Sequence, residues 1–113
     1  MHTAGPLGKR LVYPQTLGSK NFVIGIDFLG PGEEMREPKG HPFEEAYFVL
    51  EGKGQTMIKG EKSPVELEKY LSLYFPPWVG HETRNTGDGP LVILYVSAPP
   101  PTAKDIEAIK AQQ

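Results

Sequence analysis

Short runs of apolar residues that alternate with polar or small ones follow one another along most of this chain, separated by glycine and proline. Successive side chains of an extended strand point to opposite faces, so a period of two marks a strand with one packed face. Asn21 to Leu29 reads this way, with Phe22, Ile24, Ile26 and Phe28 on one face and Gly30, Pro31 and Gly32 ending the run. The polar segment over residues 32–40 predicts no regular element. Glu45 to Glu51 is apolar at both alternating sets of positions, which predicts a strand covered on both sides. Further strands are predicted at Gln55 to Lys59, Val65 to Leu67, Leu71 to Phe75, His81 to Asn85 and Leu91 to Ser97. A hairpin turn falls at Lys59 to Lys62. Leu11 to Tyr13 predicts a short edge strand, and residues 1–10 a flexible N-terminal arm ahead of a single domain over residues 11–113. After Pro99, Pro100 and Pro101, Thr102 to Gln113 reads as one amphipathic helix. Thr102 is its N-cap, Asp105 answers from the third position, and Ile106 and Ile109 form its apolar side. Many short strands with one terminal helix predict an all-β sandwich or barrel.

Composition narrows the picture without changing it. A chain of 113 residues holds one core. The 13 glycines and 12 prolines punctuate apolar runs instead of pooling, which fits turns and not disorder. A net charge of −2 argues against nucleic acid or an anionic membrane as partner. Cysteine is absent, so disulfides and thiolate ligands are excluded. The chain shows no early run suited to a signal peptide or a membrane span, and the expectation is a soluble cytoplasmic protein.

Candidate chemistry concentrates in residues 39–54, KGHPFEEAYFVLEGKG. If this stretch is extended, Lys39, His41, Phe43, Glu45 and Tyr47 share one face while Ala46, Phe48 and Leu50 take the other. An imidazole, a carboxylate and a phenol then look toward one space. His81 has a matching setting in FPPWVGHETRN, where His81, Thr83 and Asn85 alternate with Glu82 and Arg84.

These two stretches resemble the paired motifs of the cupin family. His41, Glu45 and Gly52 stand at the spacing of the first motif, and Pro76, His81 and Asn85 at that of the second. The resemblance covers roughly residues 22–98. It departs from the pattern at Lys39, where a histidine belongs, at Tyr70 and Leu71, where glycine and aspartate belong, and at Trp78, where glycine belongs. The resemblance implies a cupin jelly-roll barrel with a pocket at one mouth and a divalent metal (Fe, Mn, Ni, Zn or Cu) held by His41, Glu45 and His81. Two imidazoles and one carboxylate suit a first-row divalent ion that keeps open positions. Lys39 either swings out to solvent, sits beside Glu45 as a fixed charge, or acts as a desolvated amine. Trp78 requires an altered turn or a ring that covers something. Lys39, Tyr47 and Trp78 are the candidate pocket residues, and Arg36 could neutralise an acidic substrate. The implied function is a metal-dependent enzyme of oxygenase, isomerase or lyase type acting on a small organic molecule. The alternative is a non-catalytic, metal-free binding or sensor cupin in which Lys39 pairs with Glu45. A homodimer joined at the sheet edge near Leu11 to Tyr13 is also expected.

Overall fold

The computed structural model describes the backbone of residues 9–12 and all of residues 18–113. Among the described residues nine strands and one helix follow in order: β1 Lys9–Val12, β2 Val23–Leu29, β3 Glu34–Glu37, β4 Glu44–Glu51, β5 Gly54–Ile58, β6 Val65–Leu67, β7 Ser72–Phe75, β8 His81–Asn85, β9 Leu91–Ala98 and α1 Ala103–Lys110. They form two sheets whose paired strands run antiparallel, a five-stranded one in the order β1-β2-β9-β4-β7 and a four-stranded one in the order β3-β8-β5-β6. This is the all-β jelly-roll barrel with a short C-terminal helix that the sequence predicts. The flexible arm expected over residues 1–10 and the end of the edge strand at Tyr13 lie mostly outside the described residues, and β1 begins at Lys9.

The alternation along each strand sets the inner face. Val23 and Leu29 of β2, Tyr47 and Val49 of β4, and Ile93 and Tyr95 of β9 are at most 1% exposed and pack into one core. The opposite positions of these strands are apolar too. Ile24, Ile26 and Phe28 of β2 face outward, and so do Val92, Leu94 and Val96 of β9. They are only partly buried. The cover expected over both faces of β4 is therefore present on one face among the described residues, and Ala46, Phe48 and Leu50 stay partly exposed on the other.

The segment expected to be irregular contains β3. Its alternation is complete, with Glu34 and Arg36 outward and Met35 and Glu37 inward. Only one of the inward pair is apolar, so hydrophobic periodicity gave no signal for it. After β9 the chain caps α1 as predicted. Thr102 Oγ1 accepts from the Asp105 amide at 3.1 Å, and Asp105 Oδ2 accepts from the Thr102 amide at 2.9 Å. Ile109 is the buried anchor of the helix. Just past its end, the Gln112 side chain accepts from the Lys39 amide at 2.8 Å and donates to the Gly40 carbonyl at 3.1 Å, which pins the helix to the loop between β3 and β4.

Candidate metal centre

Four side chains from both sheets meet inside the barrel. Glu37 ends β3, His41 lies in the loop that follows, Glu45 enters β4, and His81 opens β8 directly opposite Glu37 in the ladder. Two loops bring them together by touching through their backbones. The Trp78 amide donates to the His41 carbonyl at 2.7 Å, and a Cβ placed on Gly80 would stand 2.1 Å from the Pro38 carbonyl oxygen. Only glycine permits that approach.

His41 Nε2 lies 3.0 Å from Glu37 Oε2 and 3.4 Å from Glu45 Oε1. His81 Nε2 lies 3.2 Å and 3.6 Å from the same two oxygens. One ligand atom from each residue lies within 4.8 Å of all the others, and each residue is at most 2% exposed. The orientation of every group but Glu37 has a visible cause. The Nδ1 atoms of His41 and His81 sit 3.0 Å from the carbonyls of Phe43 and Val79, a geometry that seats the ring proton on Nδ1 and turns Nε2 inward. Ser97 Oγ donates to Glu45 Oε2 at 2.9 Å, leaving Oε1 to face the centre. Phe43 stacks on His41 at 3.8 Å and Phe75 on His81 at 4.0 Å, so both rings are clamped flat.

With Nδ1 carrying the proton, the centre presents two imidazole lone pairs and two carboxylate oxygens to one small space. Such a set requires about two positive charges, supplied either by two protons or by one divalent cation. Burial works to lower the pKa of each imidazole, but hydrogen bonds to Glu37 and then to Glu45 outweigh it and hold both at about 9. Tyr47 faces the same interior, its ring centroid 6.2 Å from that of His81. Burial, then the charges of Glu45, Glu37 and Asp27, push its phenol well above the ordinary value, so it keeps its proton.

His41, Glu45 and His81, singled out from the sequence, thus converge on one point, and the structure adds Glu37. The signal for Glu37 was its spacing: it precedes His41 by four residues as Glu45 follows it by four. Lys39 leaves the face on which its alternation had placed it. Gly40, with φ +70°, turns the chain between Lys39 and His41, and Lys39 is exposed. The pairing of Lys39 with Glu45 is thereby removed, since the one faces solvent and the other is 1% exposed. Trp78 stands in a sharp turn. It holds a left-handed conformation of the kind glycine favours, φ +66°, with its residue 67% exposed. Lys39, His41 and Trp78 line a cavity of about 400 Å³ closed from above by Asp105, Ile109 and Gln112. His81 lines another, of about 310 Å³, on the far side of Pro38. Arg36 does not reach either cavity lining; its Nε binds Glu82 Oε1 at 2.9 Å on the exposed surface.

A family model described as a cupin domain matches residues 26–97. An uncharacterised protein of Methanocaldococcus jannaschii is 29% identical over 94% of this chain and 83% of its own length. The glucose-6-phosphate isomerase of Thermococcus litoralis is 36% identical over 68% of this chain, which spans 45% of that enzyme. Among solved structures, TT1209 from Thermus thermophilus superposes with a TM-score of 0.71 at 20% identity over 84% of each chain, a likeness of fold.

Proposed function

This chain belongs to the cupin family, and we propose that it binds a small organic molecule at a divalent ion (Fe, Mn, Ni or Zn) held by Glu37, His41, Glu45 and His81, and transforms it as a metal-dependent enzyme. One observation carries the reading: four buried donor atoms face each other, and both imidazoles already have Nε2 aimed inward by the bonds at Nδ1. A divalent ion supplies a Lewis acid there for a carbonyl or carboxylate oxygen. The protein's own groups do the rest. The two carboxylates balance the charge, and the surrounding Phe43 and Phe75 rings exclude water. Tyr47, held protonated, donates from within. At the mouth the Lys39 ammonium attracts an anionic group, and the Trp78 indole offers an apolar wall. Of the oxygenase, isomerase and lyase classes, the sugar-phosphate isomerase relative favours isomerisation. The reading also takes the protein to be a cytoplasmic homodimer.

Elemental analysis of protein purified without chelators tests it. The expected result is close to one ion per chain, lost in His81→Ala. A chain that stays metal-free after incubation with each of the four ions would sink the proposal. One observation favours a second reading, a metal-free binding cupin: imidazoles with pKa near 9 hold protons at neutral pH and satisfy the carboxylates unaided. Titration of the ring resonances with added metal separates the two, because only a bound ion displaces those protons.

A further inference from the structure

Helix α1 forms one wall of the cavity of about 400 Å³ that abuts the four-residue centre at His41. Its contribution is mostly apolar: Ala108, Ile109 and Ala111 share the lining with Pro38, Pro42 and Trp78. The polar groups beside them are already engaged. Gln112 Oε1 accepts from the Lys39 amide and Gln112 Nε2 donates to the Gly40 carbonyl, so both ends of that side chain are held. The Gly40 amide donates to the Glu37 carbonyl, and the Trp78 amide to that of His41. The N-terminus of α1 is closed by its own capping box, with the Asp105 carboxylate on the Thr102 amide and Thr102 Oγ1 on the Asp105 amide. Among the described residues, Lys39 is the one lysine or arginine in the lining and Asp105 the one carboxylate.

We infer that the molecule taken under α1 is a small aromatic monocarboxylate, its ring between the Trp78 indole and the apolar side of α1 and its carboxylate on the Lys39 ammonium, and that sugar phosphates are refused. The inference rests on the reading above for calling this molecule the substrate; the binding itself stands on the cavity. Charge is the first argument. A phosphate monoester is close to a dianion at neutral pH, and proteins seat it on clustered cations or on an open helix N-terminus. This lining has a single lysine, and the helix N-terminus beside it already carries a carboxylate. The buried centre adds no net charge, because its two carboxylates are balanced by one divalent ion or by two protons. One positive charge is left to meet one negative charge. The second argument is hydrogen bonding. Each sugar hydroxyl placed against this wall without a partner costs about 1–3 kcal/mol, and the groups that could have served it are held. An aromatic ring asks for none and gains from the indole face. Size agrees, since about 400 Å³ lies low in the range of about 300–1,000 Å³ for small-molecule sites and suits one or two rings.

The single tryptophan gives one indole N–H resonance, a direct report from the cavity wall. It is followed on the full chain with and without added zinc, which is diamagnetic. Naphthoate should shift it with sub-millimolar affinity, and uncharged naphthamide should bind about fivefold more weakly, the worth of one exposed charge pair. Lys39→Gln should remove that difference. Ala108→Leu, at an exposed position of α1, should fill the cavity and weaken naphthoate about tenfold, while the amide spectrum stays that of the folded chain. Glucose-6-phosphate should leave the resonance in place. If it shifts the resonance as tightly as naphthoate does, the inference is overturned. Naphthoate binding that Lys39→Gln and Ala108→Leu both leave unchanged also overturns it, because the acid then sits elsewhere. So does the lack of any shift at millimolar naphthoate. Metal content is read on the same samples. A chain that takes up no ion yet binds naphthoate as expected fails the enzyme reading and upholds this site.

Discussion

Tyr70 and Trp78 hold left-handed backbone conformations, φ +73° and +66°, that cost an L residue about 1–2 kcal/mol. Both stand where the cupin pattern has glycine, the residue that such a conformation suits. At Trp78 two-thirds of the residue is exposed, and little packing offsets the strain. Trp78→Gly should therefore raise stability by about 0.5–1 kcal/mol once the extra freedom of unfolded glycine is counted. Urea denaturation measures this. In the proposed reading the same change weakens ligand binding at the mouth, so stability and affinity move in opposite directions. The histidines make a second prediction. Their folded pKa of about 9 lies above the ordinary 6.5, so they stabilise the metal-free fold fully below pH 6.5. That contribution falls as pH rises and is gone above about 9. Urea midpoints of the metal-free chain should decline between those limits, and His81→Ala should remove part of the decline.

Elements deliver these residues, and two of them differ in how openly the sequence announces them. Helix α1 was legible down to its cap, because Thr102 and Asp105 form a local signal that needs no tertiary context. Its place over the barrel mouth was not, since the contacts of Gln112 with Lys39 and Gly40 span 73 and 72 residues. Gln112→Ala should speed amide exchange at Lys39 about tenfold by freeing the loop, with global stability little changed. Strand β3 was hidden for another reason. Its inward positions are Met35 and Glu37, and Glu37 is buried by electrostatics and not by hydrophobicity. The loop after β3 depends on Gly80 of the opposite loop. Gly80→Ala sets a methyl group against the Pro38 carbonyl and should cost about 3 kcal/mol. It should also separate Glu37 from His81, which metal titration of the folded fraction would detect.

For the molecule as a whole, alternation and turn residues made the barrel legible, and the motif spacing brought out three of the four converging side chains. Which face is inner could not be read from β4 and β9, where apolar residues occupy both, and on β2 the wholly apolar set, Ile24, Ile26 and Phe28, is the outer one while the inner set includes Asp27. Packing decides it: Tyr47, Tyr95 and Ile93 fill the interior, and Phe48, Leu94 and Ile26 are left outside. The barrel is thus two-sided: the inner surface of β4 carries Glu45 toward the four-residue cluster, and its outer surface carries the partly exposed Ala46 and Phe48.

Each of the four converging groups is at most 2% exposed behind loops that touch backbone to backbone. In the proposed reading, an ion seated behind them would trade with the medium only when those loops part. Occupancy would then record which cation was at hand as the polypeptide closed, and the affinities of the finished site would govern it only on the slower timescale of opening. The same chain made in manganese-rich and zinc-rich media would carry different passengers long after both were moved into one buffer.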